Sequence, residues 1–70
     1  MMPTVVVRHA KALFPYIFKN VVAWFPNGKN CIRLRLNTHK ELIFTYHDDD
    51  HWVLETATHY LDNMKGDKSL

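Results

Sequence analysis

The residues with the most chemical potential in this chain are gathered in the run His47-Asp48-Asp49-Asp50-His51. Imidazoles ligate zinc and other transition metals, and carboxylates ligate Mg²⁺, Ca²⁺ or Mn²⁺. His47, Asp48, Asp50 and His51 are therefore the metal-ligand candidates. Two histidines at this spacing converge on one ion only along a continuous helix. Here the pattern puts a strand end and a turn between them, and the glycine of a calcium-binding EF-hand loop is missing. The run reads instead as a helix cap with solvated charge, and no metal or other cofactor is expected. His9, His39 and His59 have no motif-like spacing.

Nucleophilic catalysis needs an activated Ser, Cys, Thr or Lys within reach of a base. Ser69 lies in the tail, and Cys31 falls opposite His47 in the strand register derived below, without a third group to orient the pair. Gly28 and Gly66 are the only glycines, too few for a phosphate-cradling loop. No catalytic constellation emerges, and the chain is not expected to be an enzyme.

These residues must be positioned by few elements. Seventy residues leave room for one core, in which roughly 60% of the unfolded chain's surface is buried. The whole chain, 1–70, reads as a single domain, with 1–7 and 67–70 as frayed or unassigned ends. Leu13, Phe14, Ile17 and Phe18 recur at helical spacing, predicting a first helix over residues 9–18. Pro15 either kinks it or restarts it from the first helical position. Two strands, 21–25 and 31–36, flank Asn27-Gly28, a pair suited to the positive φ angles of a two-residue type I′ turn, and 41–46 is a third strand. Asp48-Asp49-Asp50 then caps a second helix whose apolar stripe is Val53, Leu54, Ala57, Tyr60, Leu61 and Met64, closed by Lys65 and Gly66. The expected fold class is α+β: a three-stranded antiparallel meander with two helices on one face, in the order α-β-β-β-α.

Registering the strands on the Asn27-Gly28 turn puts Val21, Ala23 and Phe25 on the core face with Ile32, Leu34, Leu36, Leu42, Phe44 and Tyr46. The opposite face receives Val22, Trp24, Cys31, Arg33, Arg35, Ile43, Thr45 and His47. Arginine beside tryptophan and aliphatic residues is the composition of a protein-interface hot spot, so Trp24, Arg33, Arg35, Ile43 and Val22 form the expected binding surface. The leading reading is a small non-enzymatic interaction or regulatory protein. Its expected partner is another protein or a second copy of itself, joined through this face or a sheet edge. The same arginines, with Lys19, Lys29 and Lys40, could instead hold a phosphate backbone, which makes nucleic-acid binding the alternative. A small ribonuclease-like toxin is a third reading resting on fold analogy alone; the glycine-histidine strand motif of such toxins is absent.

Charge is divided along the chain. Residues 1–40 hold seven Lys or Arg and no Asp or Glu, whereas residues 41–70 hold seven Asp or Glu and two Lys. Such a split concerns partners and association more than fold. A single cysteine allows no intrachain disulfide, and Arg8, His9 and Lys11 interrupt the apolar start, so a cytoplasmic location without membrane contact is expected and no small-molecule substrate is inferred.

Overall fold

A computed structural model describes residues 2–61. The chain runs α1 (Pro3–Leu13), α2 (Pro15–Phe18), β1 (Val21–Pro26), β2 (Cys31–Leu36), β3 (Glu41–Asp48) and β4 (His51–Thr56), and residues 57–61 are helical. The architecture is α+β, with one four-stranded antiparallel sheet in the order β1-β2-β3-β4.

Helix α1 begins much earlier than its apolar periodicity suggests. Pro3 stands in its first turn, where the missing N–H costs nothing. Val5, Val6 and Val7 are poor helix formers, but Val6, Val7 and Ala10 are buried, and with Phe14 they form the helical side of the core. Tertiary packing overrides propensity here. Phe14 leaves the helix with φ −140°, and Pro15 opens α2. Of the two outcomes expected for Pro15, the restart is the one observed.

Ile32, Leu34, Phe44 and Tyr46 supply the sheet side of the core, with Val21, Trp24, Leu36, Leu42, Trp52 and Leu54 on the same face. Phe14 meets Phe44 edge-on at 5.1 Å between centroids and lies 5.6 Å from Trp52, so one aromatic cluster joins the helices to β3 and β4.

The sheet has four strands rather than three. Residues 51–56, expected to open the second helix, form β4 instead, paired with β3 through Phe44 opposite Leu54 and Tyr46 opposite Trp52. Asp49 and Asp50 make the turn between them, and the Asp48 side chain accepts a hydrogen bond from the Asp50 N–H at 2.9 Å. The aspartates therefore initiate a hairpin, using the same side-chain-to-backbone chemistry that caps helices. The helix begins one strand later. Thr56 caps it, its hydroxyl accepting from the His59 N–H at 3.1 Å. Met64, Lys65 and Gly66, expected to end that helix, and the expected frayed tail lie outside the described residues.

The first hairpin also differs from expectation. Asn27 N–H donates to the Cys31 carbonyl, closing a loop over residues 28–30, with positive φ at Gly28 (110°) and Asn30 (56°) rather than at Asn27 and Gly28. Lengthening the loop by an odd number of residues reverses the faces of β1. Phe25 and Ala23 consequently oppose Arg33 and Arg35, and Trp24 opposes Leu34 on the core face. A bulge between Val21 and Ala23 restores Val21 to the core side and leaves Val22 exposed.

Candidate interaction surfaces

On the sheet face away from α1, the expected binding surface is reorganised. Arg33 and Arg35 do project from β2 with Ile43 beside them on β3, as the β2–β3 register requires. Trp24 does not join them; it packs at the margin of the core on the other face. Phe25 takes its place, with the guanidinium carbons of Arg33 and Arg35 at 5.2 and 5.1 Å from its ring centroid. Val22 stands apart at the β1 bulge, and Ile43 is only 3% exposed.

Glu41 answers both arginines. Arg35 places Nε and Nη2 each at 3.1 Å from Glu41 Oε2, and Arg33 Nε lies 3.8 Å from Oε1. The latter is an ion pair beyond hydrogen-bonding distance, and Arg33 Nε has no hydrogen-bond partner among the described residues. Glu55 stands opposite Ile43 on the same face, with its carboxylate 3.5 Å from His59 Nδ1, so Glu41 is the one carboxylate that pairs with the two arginines among the described residues. The two guanidinium groups of this face are thus partly engaged, by Glu41 and by the Phe25 ring on which they stack. Ala57, Tyr60 and Leu61 share a small cavity with Asn27, Arg33 and Ile43, which brings the helical segment against this face too.

Lys29 and Lys40 do not extend it into one basic stripe. Lys29 lies in the β1–β2 loop and Lys40 in the β2–β3 turn, at opposite ends of the six-residue strand β2. That strand separates them by roughly 20 Å. Lys40 instead borders an open cleft of ≈ 420 Å³ together with His39, Glu41, Thr56, Ala57 and Thr58.

Cys31 is buried and faces Thr45 across the β2–β3 ladder rather than His47. Its sulfur accepts weak hydrogen bonds from the Thr45 hydroxyl (3.4 Å) and the Asn27 amide (3.5 Å). It is a packed thiol held by neutral donors.

At the β3–β4 turn the histidines serve each other. His47 and His51 stack with centroids 4.6 Å apart, while Asp48 is engaged with the turn backbone through Asp50. Among the described residues, no three His, Cys, Asp or Glu side chains converge into a ligand set. A cluster that sequence spacing does not reveal forms beside them. The His9 ring stacks on Tyr46 at 4.0 Å and 12°, the Tyr46 hydroxyl donates to Asp49 Oδ1 at 2.8 Å, and His9 Nδ1 lies 3.6 Å from that oxygen. The Tyr46 phenol is pushed up to about 12, first by its hydrogen bond to Asp49, then by desolvation and by the charges of Asp49 and Asp48. Such a phenol holds its proton too tightly to serve as a base near neutral pH, so the trio works as a clasp between α1 and the hairpin.

The helical layer carries the exposed groups. Arg8 and Lys11 lie on the solvent side of α1 at i, i+3 spacing, and Lys11 Nζ sits 5.4 Å from the Phe18 ring of α2. On α2, Tyr16 is 85% exposed and Ile17 36% exposed. Lys19 follows at the C-terminal end of the same turn, its N–H bonded to the Pro15 carbonyl. No carboxylate occurs before Glu41 in the sequence, so α1 and α2 carry none, and among the described residues Asp49 of the β3–β4 turn is the carboxylate that reaches α1, at His9. Tyr16, Arg8 and Lys11 were missed by strand-centred reasoning. The signal available was Pro15, which fixes the phase of α2 and turns Tyr16 outward.

Compared with protein-family models, curated proteins and solved structures, the chain gives no significant match. Among the described residues no helix is long and apolar enough to cross a membrane.

Proposed function

We propose that this protein is a small non-enzymatic interaction module of the cytoplasm that binds an acidic surface of another protein through its helical layer. The observation that carries the reading is Tyr16, an aromatic side chain 85% exposed on a proline-initiated turn, with Ile17 beside it and the cations Arg8, Lys11 and Lys19 on the same layer. Tyrosine and arginine are enriched where interfaces concentrate their binding energy, tyrosine because it supplies a large contact area at low entropic cost and arginine because its planar guanidinium combines charge with several directed hydrogen bonds. The cations of this layer supply steering and select an acidic partner. The sheet face with Arg33 and Arg35 fits this role less well, since Glu41 and Phe25 already occupy both guanidinium groups. The cytoplasmic assignment rests on the single buried thiol.

Affinity capture from the source cell's extract tests the reading, using the wild type, Tyr16→Ala and Lys11→Glu/Lys19→Glu proteins with and without nuclease. The expected result is a retained protein, insensitive to nuclease, that is lost with either variant. Retention abolished by nuclease would assign the layer to nucleic acid instead, and equal retention by all three proteins would remove the helical layer from the interface.

A further inference from the structure

The two edges of the sheet are not equivalent, and the difference points to a second partner surface. The Tyr46 N–H donates to the Asn30 carbonyl (2.9 Å) and the Leu36 N–H to the Lys40 carbonyl (2.8 Å). In an antiparallel ladder that phase aims the backbone groups of Leu42, Phe44 and Tyr46 at β2, and those of Ile43 and Thr45 at β4. Glu55 and Val53, opposite Ile43 and Thr45, therefore spend their backbone groups on β3. The N–H and C=O groups of Trp52, Leu54 and Thr56 are left along the outer edge, where no described residue pairs with them.

The β1 edge is protected. Asn27 N–H bonds to the Cys31 carbonyl, a phase that turns Phe25 and Ala23 inward and leaves Trp24 and Pro26 outward. Pro26 has no N–H to offer, and the bulge between Val21 and Ala23 interrupts the rest of the edge. Between His51 and Thr56, β4 has no proline, lysine or arginine, and its central Val53 is 41% exposed. An edge so unguarded in one strand and so guarded in the other is the pattern of an edge that has a partner.

We propose that the outer edge of β4 pairs antiparallel with β4 of a second copy of this chain, about a two-fold axis through Val53, to give a continuous eight-stranded sheet. The side-chain pattern selects this register. It sets Val53 against Val53 of the other copy, His51 against Glu55, and Trp52 against Leu54, so polar groups of opposite character meet on one face and apolar groups extend the core on the other. Moving the axis to Glu55 would oppose two like charges. The free groups of Trp52 and Leu54 become the narrow hydrogen-bonded pairs, and Val53 occupies the non-hydrogen-bonded site at the axis, where Cα atoms approach to about 4.5 Å.

That distance makes the proposal testable by covalent capture, because disulfides span Cα separations of about 4.4–6.8 Å. Sedimentation at high micromolar concentration is expected to show a dimer for the wild type. Val53→Lys is expected to weaken association by at least about tenfold with circular dichroism unchanged. Val53→Cys is expected to oxidise rapidly to a cross-linked dimer through the new, exposed thiol, and Glu55→Cys to do so far more slowly. Because the Val53 side chain lies on the sheet face away from α1 and Tyr16 is 85% exposed on the helical layer, Tyr16→Ala should leave the dimer intact, which separates this proposal from the partner reading above. A monomeric wild type, or a dimer that survives Val53→Lys without cross-linking at Val53→Cys, overturns it. Equal cross-linking by the Val53→Cys and Glu55→Cys proteins overturns the register.

Discussion

Tyr46 is the residue at which several influences can be separated. Its ring is buried between His9 and Phe44, and its hydroxyl is bonded to Asp49. With the phenol pushed up to about 12 from the ordinary 10.0, the folded protein keeps a proton that the unfolded chain releases first. Between those values the unfolded state binds fewer protons, so stability contributed by this group is fully present below about pH 10 and is lost as pH rises toward 12. Ultraviolet absorbance titration should show one tyrosine ionising near the upper value. Asp49→Asn should move that ionisation back toward 10.0, and Tyr46→Phe should abolish this part of the alkaline loss of stability. A second residue-scale expectation concerns Phe44, which is fully buried at the centre of the aromatic cluster. Phe44→Ala should cost about 3–5 kcal/mol in urea unfolding, a large part of the roughly 3–10 kcal/mol available to a domain of this length. The variant is expected to unfold at a markedly lower urea concentration than the wild type.

At the scale of elements, the turns decide what the strands present. Gly28 has φ 110° and open space where a Cβ would stand. Gly28→Ala should therefore destabilise by backbone strain alone, about 1–2 kcal/mol, with no change in the packed core. Paired urea denaturation of Gly28→Ala and the wild type reads this directly. The same loop explains what was legible in the sequence. Asn27-Gly28 correctly marked a turn between two strands, but it did not give the loop's length, and that length determines whether Trp24 or Phe25 shares a face with Arg33. The β2–β3 pairing was legible because Ile32, Leu34, Leu42 and Phe44 alternate strictly. Residues 51–56 were not, since Trp52-Val53-Leu54 satisfies both a two-residue and a 3.6-residue period. A strand was chosen by long-range packing of Trp52 and Leu54 on Phe14 and Phe44. Likewise, α1 is held by burial of valines that local propensity disfavours, and the His9–Tyr46–Asp49 clasp joins residues too distant in sequence for spacing to reveal.

For the whole molecule, the question is whether the charge divided along the sequence is neutralised by folding. Among the described residues Arg33 and Arg35 pair with Glu41, and His9 and His59 pair with Asp49 and Glu55 only when protonated. Within that same set Arg8, Lys11, Lys19, Lys29 and Lys40 form no ion pair, and Asp48 and Asp50 lie exposed at the β3–β4 turn. Among the described residues the two halves therefore meet at Glu41 and, when His9 is protonated, at Asp49, while most of the basic half's charge stays unpaired. Exposed pairs contribute about 0–1 kcal/mol each and are screened by salt, while the aromatic and aliphatic core is not weakened by it. Raising sodium chloride to about 0.5 M should thus change the urea-unfolding stability by less than about 1 kcal/mol. Association steered by Arg8, Lys11 and Lys19 should weaken markedly over the same range, because those charges face solvent, where added ions screen them. A stability that collapsed with salt would mean that the two halves are joined electrostatically after all. A flat stability with salt-sensitive binding would place the function of the charge at the surface, in recognition rather than in folding.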